Sequence, residues 1–452
     1  MTTSRPFLQR LVLVRPGEGR ALLWAAAYFF FLLLSYYLLR PVREAIGIAK
    51  GADKLPWLMS LTLLVMLVAN PLYARLVSRW PRRRFIPAVS HFFAANLLVF
   101  VGLMAAWPGA VWLGYAFYVW LSVFNLFVVS VFWSLMSDVF REEQGRRLFG
   151  LISMGGTLGA VAGAALTDAL SRGSWGVQLG PAALMGLSVL ALELAVACMG
   201  ALRRHFGVSE QAQPEREPGP SALEGWRAIA GSRYLQALCG YMLLYALTST
   251  FLYLSQGEIV ARSFASGAER TAAFARLDLW VNVLTLATQL FLTGRLLRWI
   301  GVSGVLLVLP TLTLAGFGAL ALWPTFAVLA AVQVLRRGLH YAVDRPAREL
   351  LYIPLGPEER YKSKPFIDTF VYRVGDVLGV WAPTLMSVLA LPVSLAALGC
   401  AGLWIWTGRS LGQLVRQQAA RPDAPPPPPL RRPPRHCAPE PSPFPSAEKD
   451  VP

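Results

Sequence analysis

The chain has 452 residues, of which 55% are hydrophobic and 15% are charged. Ordinary soluble domains average roughly 45–50% apolar and about 25% charged residues, so this composition excludes a soluble globular domain as the bulk of the chain. The formal net charge of +17 would suit nucleic-acid binding, but the placement of the basic residues favours membrane topology, and we predict no nucleic-acid partner. Arg outnumbers Lys by 37 to 5, which is typical of a GC-rich bacterial genome.

Twelve apolar runs follow one another along the chain, and most of them reach the roughly 20 residues that a membrane-spanning helix needs. We therefore predict an all-α, polytopic membrane protein with both termini on one side of the bilayer. The predicted spans are 21–45, 56–74, 85–106, 110–137, 148–170, 181–202, 234–255, 274–294, 300–322, 325–343, 366–389 and 393–406.

The basic residues lie almost entirely in every second gap between these runs. The N-terminal arm, alternate gaps and the C-terminal tail hold 33 of the 42 Lys and Arg residues, seven of them in the 336–364 gap. Cytoplasmic loops retain Lys and Arg, so both termini are predicted to be cytoplasmic. The same residues would attract anionic lipid at the cytoplasmic face. The sequence thus predicts a multi-pass protein of the bacterial cytoplasmic (inner) membrane.

The gap between the sixth and seventh spans carries a polar stretch rich in Pro and Gly, at 213–220, which is typical of a linker. It divides the chain into two sets of six spans. The predicted organisation is a cytoplasmic N-terminal arm (1–20), an N-terminal six-helix bundle (21–202), a cytoplasmic linker (203–233), a C-terminal six-helix bundle (234–408) and a disordered, Pro- and Arg-rich cytoplasmic tail (409–452).

The two halves resemble each other in one place. Glu142-Glu143 precedes a glycine-rich stretch at 155–159, and Glu358-Glu359 precedes a similar stretch at 375–379. A repeat of about 220 residues is typical of two parallel six-helix halves, as in the major facilitator architecture. Gly155, Gly159 and Gly163 also have the spacing of small residues that lets membrane helices pack closely.

No pattern in the chain indicates an enzyme, a metal site or a cofactor. The four Cys and four His residues are scattered, so no disulfide framework or metal spacing is present. No stretch matches a phosphate-binding loop ending in Gly-Lys-Ser or Gly-Lys-Thr, so ATP hydrolysis is not the expected motor. Asp168 and Glu193 lie nearer the ends of their predicted spans and are expected to be solvated or paired.

Several stretches of the chain form recognisable motifs. They are Ala347-Arg348-Glu349-Leu350-Leu351-Tyr352, Glu359 to Asp368, Tyr372-Arg373-Val374-Gly375, Phe132-Trp133, Gly145 to Gly150 and Arg40-Pro41-Val42-Arg43-Glu44. These stretches resemble the ATP/ADP antiporter (nucleotide exchange transporter) family of bacteria and plastids, within the major facilitator superfamily. The resemblance implies a twelve-helix facilitator fold that moves a solute, such as a nucleotide, by exchange.

The chain departs from that family's pattern at two positions. Where the family carries a Glu early in the fourth span, this chain has Leu121-Ser122. Where the family carries a Lys after the glycine of the eleventh span, this chain has Asp376. Exchanging a cation for an anion in a low-dielectric cavity disfavours a substrate with several negative charges, so the departure weakens the expectation of adenine nucleotide exchange.

Charged residues inside spans are the first candidates for a functional site, because each costs at least roughly 2.5–3.5 kcal/mol in the bilayer unless it serves a pathway or a partner. Arg40, Arg43 and Glu44 share one helix face at the end of the first span. The alternative is that these residues anchor the helix at the membrane interface.

Polar stripes on three spans are the second set of candidates. Asp278, Asn282 and Gln289 recur on one side of the eighth span, and Tyr372, Arg373 and Asp376 on the eleventh; Tyr245 lies in the seventh span and Asn125 in the fourth. These faces either line a central cavity or make hydrogen bonds between helices, with Arg373 and Asp376 pairing only with each other.

The leading hypothesis is a secondary active transporter of a small, anionic solute that works by alternating access. The alternative is a membrane scaffold or accessory protein that has the fold without transport. Oligomeric state and substrate identity stay open. Predicted coupling or gating residues are Glu44, Asp278 and Asp376, and predicted substrate-binding residues are Arg40, Arg43, Asn125, Tyr245, Asn282, Gln289, Tyr372 and Arg373.

Overall fold

The computed structural model is helical throughout the residues that it describes, and these contain no strand. The all-α prediction is therefore confirmed. Most of the N-terminal arm, most of the linker and the Pro-rich end of the tail lie outside the described residues. The described residues are 14–15, 18–79, 82–107, 109–140, 142–206, 226–227, 229–356, 359, 363–364, 366–388 and 393–419.

Six long helices form the first half of the molecule. Leu, Val, Phe and Ala dominate each of them, and most begin or end at a turn that contains Gly, Pro or a basic residue. Their bounds are α1 (Glu18–Gly47), α2 (Leu55–Arg79), α3 (Arg82–Ala106), α4 (Val111–Val139), α5 (Glu142–Arg172) and α6 (Pro181–Phe206). A short 3-10 turn, Ala52–Lys54, lies between α1 and α2.

In its described residues the second half contains eight α-helices. They are α7 (Arg233–Ser263), α8 (Gly267–Phe291), α9 (Thr293–Trp299), α10 (Gly301–Leu322), α11 (Phe326–Leu339), α12 (Arg345–Leu350), α13 (Tyr372–Val388) and α14 (Val393–Ala419). A capping box at Ser266 and Glu269 begins α8, because these two side chains satisfy free backbone N–H groups of the first turn.

Two π-helical turns interrupt the second half. One, His340–Asp344, joins α11 to α12, and the other, Ile367–Val371, precedes α13. Single π turns inside α-helices occur frequently at functional sites, because the wider turn rotates the side chains that follow it. Both turns lie next to candidate site residues.

Among the described residues, eight helices are long and apolar enough to cross a membrane, and α8 with α9 makes a ninth if this pair, bent by 57°, counts as one span. The prediction of a multi-pass membrane protein is thus supported, whereas the count of twelve spans stays a prediction. One detail of the sequence analysis is wrong. Arg336 and Arg337 are the basic residues of the last turn of α11, so they belong to a helix and not to a loop.

The glycine repeat marks the same packing in both halves. A methyl group added at Gly155 would lie 2.5 Å from the backbone oxygen of Ala26 on α1. Added at Gly375, it would lie 2.6 Å from the Cβ of Ala246 on α7. In each half the helix that carries the repeat therefore packs directly against the first helix of that half, because glycine leaves room for the neighbouring backbone.

The buried apolar core has three main parts. One cluster comes wholly from α1 and α3 to α6, and another from the second half, around Tyr241 and Trp404. A third is shared by both halves and includes Ile48, Leu55 and Val260. We call the end of the bundle that carries the turns after α1, α5 and α7 the far end. The halves share their core at the far end and have separate cores at the near end.

Gly159→Ala is expected to destabilise the protein by roughly 1–3 kcal/mol, because the new methyl group would collide with the carbonyl of Phe30 on α1. The measurement is the thermal unfolding midpoint in detergent. Gly150→Ala on the same helix is the matched control, since a methyl group there meets no atom within 4 Å and improves helix propensity. Equal midpoints for the two variants would contradict close packing of α5 on α1.

Candidate functional site

A single carboxylate joins the two halves of the molecule. Asp278 on α8 accepts a hydrogen bond of 2.9 Å from Nη1 of Arg40 on α1. Nη2 of Arg337 on α11 lies 2.9 Å from the same oxygen, Oδ1, and makes an ion pair without hydrogen-bond geometry. Asp278, which belongs to the polar stripe of α8, therefore faces α1. This agrees with the expectation that the stripe does not face lipid. Arg337 is the partner that the sequence analysis missed.

The three groups lie deep in the bundle. The side chain of Asp278 is 4% exposed, and those of Arg40 and Arg337 are 19% and 15% exposed. At the helical rise of 1.5 Å per residue they are about 10 to 16 Å from the far ends of their helices, near mid-depth. One carboxylate faces two guanidinium groups, so the cluster carries a net positive charge in a low-dielectric setting.

A second polar cluster joins the halves next to the first. Arg43 lies 3.5 Å from Glu44, and its guanidinium sits 4.0 Å above the ring of Tyr118 on α4. Tyr253 on α7 donates a hydrogen bond to Glu44, and the hydroxyls of Tyr253 and Tyr118 are 2.6 Å apart. Arg43 and Glu44 are thus held by contacts inside the bundle.

A third contact between the halves lies closer to the far end. Asp168 on α5 is 3.0 Å from Arg172 on its own helix and 3.4 Å from Arg276 on α8. The expectation that Asp168 is paired is confirmed. Together with the shared apolar core, the three polar contacts tie the halves together in the far part of the molecule.

Arg336 on α11 is a buried arginine that the second half contributes to the site. Arg336 is 3% exposed and donates hydrogen bonds to the hydroxyls of Thr313, Thr248 and Ser249. Its guanidinium also lies 5.4 Å from the ring centre of Tyr245. Neutral oxygens and an aromatic face therefore hold this cation, and its positive charge adds to that of the Asp278 cluster.

The first π turn brings His340 against Tyr245. Their rings stack with centroids 4.3 Å apart, and His340 Nδ1 is 3.1 Å from Asp344. The ring centroid of Tyr372 lies 5.9 Å from that of Tyr245. The predicted pair Tyr245 and Tyr372 is thus brought together, with an imidazole that the sequence analysis had set aside as isolated.

Arg373 and Asp376 pair with each other on α13, at 3.4 Å. Thr250 on α7 donates a further hydrogen bond to Asp376, and Arg373 approaches the sulfur of Met66 on α2. This contact agrees with the alternative in which Arg373 and Asp376 pair with each other. The charge of Asp376 is offset locally.

Three predicted residues stand apart from these clusters. Asn282 is buried and donates to the backbone oxygen of Asp278 on its own helix. Gln289 is exposed and reaches only the carbonyl of Tyr341, at 3.5 Å. Asn125 is half-buried on α4, and within the described part of the chain no hydrogen bond links it to the clusters. Solute binding by these three residues stays a prediction.

The residues that the sequence analysis missed left a signal. Gln333, Arg336, Arg337 and His340 recur at spacings of three, one and three, which places them on one face of a helix. The predicted tenth span already included them, but the loop count assigned the two arginines to the cytoplasm. Tyr118 and Tyr253 gave no comparable signal, since tyrosine is common in membrane helices.

Comparison with known proteins supports a family resemblance. No family model matches the chain. ADP,ATP carrier protein 1 of Chlamydia muridarum is 23% identical over 328 residues, which cover 64% of this chain and 61% of the carrier. The plastidic ATP/ADP-transporter of Solanum tuberosum is 22% identical over 315 residues, 63% of this chain and 50% of that protein. The chain thus spans about three fifths or less of these relatives, and the predicted resemblance is confirmed.

Solved structures show the same fold at low sequence identity. The nucleoside transporter NupG superposes with a TM-score of 0.59 at 11% identity, covering 89% of this chain and 99% of NupG. An auto inhibited POT family peptide transporter superposes with a TM-score of 0.58 at 13% identity, covering 88% and 97%. The predicted fold of the major facilitator type is confirmed.

Asp278→Asn is expected to lower stability by roughly 3–5 kcal/mol, because it leaves two buried guanidinium groups without their counter-ion. The measurement is the thermal unfolding midpoint in detergent. The matched control is Glu258→Gln, which removes an exposed ion pair to Arg262 and should change stability by no more than about 1 kcal/mol. An unchanged midpoint for Asp278→Asn would contradict the pairing described above.

Proposed function

We propose that the protein is a secondary active transporter that exchanges an anionic solute, a nucleotide or another organic anion, by alternating access. The observation that carries the proposal is the Asp278 cluster. One carboxylate on α8 holds Arg40 from the first half and Arg337 from the second. Two cations from opposite halves near mid-depth form a site that an anion can bind from both sides at once.

The charge of the whole site supports an anionic solute. Six guanidinium groups face four carboxylates in the clusters around Asp278, Glu44, Tyr245 and Asp376, which leaves two positive charges in excess. The cations are Arg40, Arg43, Arg336, Arg337, Arg348 and Arg373, and the carboxylates are Glu44, Asp278, Asp344 and Asp376. In a low-dielectric cavity such an excess attracts anions strongly.

The relatives support a nucleotide as the solute class. Several are named ADP,ATP carrier or ATP/ADP-transporter, and NupG is a nucleoside transporter. The loss of the family's cation at Asp376 is offset in two ways. Arg373 pairs with this carboxylate and Thr250 donates a hydrogen bond to it. Arg336 and Arg337, which the sequence analysis placed in a cytoplasmic loop, supply two further cations inside the bundle.

Solute binding would compete with Asp278 for the two arginines. In the empty protein the carboxylate holds Arg40 and Arg337 together and ties α1 to α8 and α11. A bound anion takes over these arginines and frees the halves to rock about the site. Because an empty site restores the bridge, the protein would return across the membrane only with a solute bound, which is exchange.

The position of the shared core supports a state that opens at the near end. We propose that the two halves are six-helix bundles, 21–202 and 234–408, with both termini and the linker on the cytoplasmic side of a bacterial inner membrane. The near end then faces the cytoplasm, where basic loops meet anionic lipid. Separate near-end cores are what an inward-open transporter would have.

Arg40→Gln combined with Arg337→Gln is expected to lower solute uptake roughly tenfold or more, since each charge-assisted hydrogen bond contributes about 1.5–3 kcal/mol. The measurement is uptake of labelled nucleotides, phosphate and organic anions into liposomes that contain the purified full chain. Arg262→Gln is the matched control, because Arg262 is 77% exposed and pairs only with Glu258 in the described part of the chain.

Loading the liposomes decides between exchange and other modes. Exchange requires unlabelled solute inside, whereas symport responds to an imposed proton gradient. Uptake that the double variant leaves unchanged would contradict the assignment of the site. No uptake of any anion by the unaltered protein would favour the scaffold alternative.

A further inference from the structure

Two ionisable side chains face outward from the middle of the first half. His91 on α3 and Glu193 on α6 pair at 3.0 Å, with side chains 55% and 41% exposed. Glu193 follows Pro181, the first residue of α6, by twelve positions, which is about 18 Å along the helix. The expectation that Glu193 is paired is confirmed, but its expected place near a span end is wrong.

His91 lies at a similar depth. It follows Arg82, the first residue of α3, by nine positions, about 14 Å along the helix. Both side chains are therefore inside the roughly 30 Å hydrocarbon layer. Ionisable side chains at this depth almost always face protein or water, because lipid tails offer no hydrogen-bond partner. The outward direction of this pair therefore needs a partner to cover it.

One polar atom of each side chain makes the contact between His91 and Glu193, and the other polar atom of each stays available. His91 Nδ1 contacts Glu193 Oε1, and in the part of the chain that the structure describes neither residue makes another hydrogen bond or ion pair. Nε2 of the ring and the second carboxylate oxygen stay available. An imidazolium carries two N–H donors and a carboxylate accepts several bonds, so each residue can bind one more group.

The helix surfaces around the pair are suited to another helix. On α3 the exposed positions are Ala95, Leu98 and Gly102, and on α6 they are Gly186, Leu190 and Ala197, each set in register with the charged residue of its helix. Methyl groups added at Gly102 or Gly186 meet no atom within 4 Å. Small residues at helical spacing let a second backbone approach closely in a membrane.

We propose that this surface, the α3/α6 face, binds a second copy of this chain about a two-fold axis in the membrane. The face carries one basic and one acidic group side by side, so it is complementary to itself. A two-fold axis places His91 of each copy opposite Glu193 of the other, and every spare donor meets a spare acceptor. Lipid head groups lie outside the hydrocarbon layer, so they cannot bond to His91 and Glu193 at this depth. The proposal does not depend on which solute is carried.

The test is the number of chains in each particle. The full chain, labelled once at its N-terminus, is reconstituted at low density in liposomes, and photobleaching steps are counted. We expect two steps for the unaltered protein. His91→Leu with Glu193→Leu is expected to lower the dimerisation constant roughly tenfold, because both polar contacts between the two copies are lost. Thermal midpoints check that this more apolar variant folds.

A matched control changes a different exposed surface. Leu395→Ala with Leu403→Ala alters α14, where both side chains are more than half exposed, and should keep two bleaching steps. Single-step bleaching of the unaltered protein overturns the proposal, even if another membrane protein co-purifies with it. Dimers that survive the double Leu substitution overturn it as well.

A charge exchange tests the pairing itself. His91→Glu gives a face with two acidic groups, and Glu193→His gives a face with two basic groups. Each variant alone is expected to bleach in one step, whereas differently coloured samples of the two, mixed before reconstitution, are expected to colocalise. Absence of colocalisation would contradict the reciprocal pairing of His91 with Glu193.

Discussion

A charge in the interior of a membrane protein has to be paired, because lipid and apolar side chains cannot solvate it. In this molecule Asp278 pairs with two arginines that belong to different halves. The position of α8 against α1 and α11 follows from this shared carboxylate. The same contact leaves the site with excess positive charge, and this charge is the reason that we propose an anionic solute for it.

The contacts between the halves are unevenly distributed along the helices, and this distribution determines which end of the bundle is closed. Polar ties between the halves include those of Asp168, Glu44 and Asp278, which lie between mid-depth and the far end of the bundle. Apolar contacts such as those of Ile48, Leu55 and Val260 seal the far end. The near-end cores are separate. Opening the far end would therefore require that buried ion pairs separate, and in the mechanism that we propose a bound solute supplies the free energy for this.

Packing inside each half is simpler, and it repeats. Glycines of α5 lie on α1, and glycines of α13 lie on α7. Such contacts need glycine at these positions, since bulkier residues would push the helices apart. The packing inside each half is therefore close, and in the mechanism that we propose the two halves move as bodies about the polar contacts between them.

Much of this could be predicted from the sequence, for physical reasons. The bilayer requires long apolar runs, and it requires basic residues in alternate loops, for each segment separately. Both patterns can therefore be recognised in the sequence without knowledge of the fold. The glycine repeat and the polar stripe through Asp278 also depend only on helical spacing. These features gave the all-α membrane fold, the close packing of α5 and the candidates Arg40, Tyr245 and Asp278.

Only the tertiary structure decided which of these residues meet. Arg40 and Asp278 are 238 positions apart, and no local pattern can pair them. Arg337 was assigned to a loop because a charged residue near the end of a span is often a loop residue. The structure shows that the helix continues past Arg337 into the π turn at His340–Asp344. Gln289 fell on the right stripe but lies exposed at its end. Spacing along one helix identifies a face, whereas the neighbouring helices determine what that face contacts.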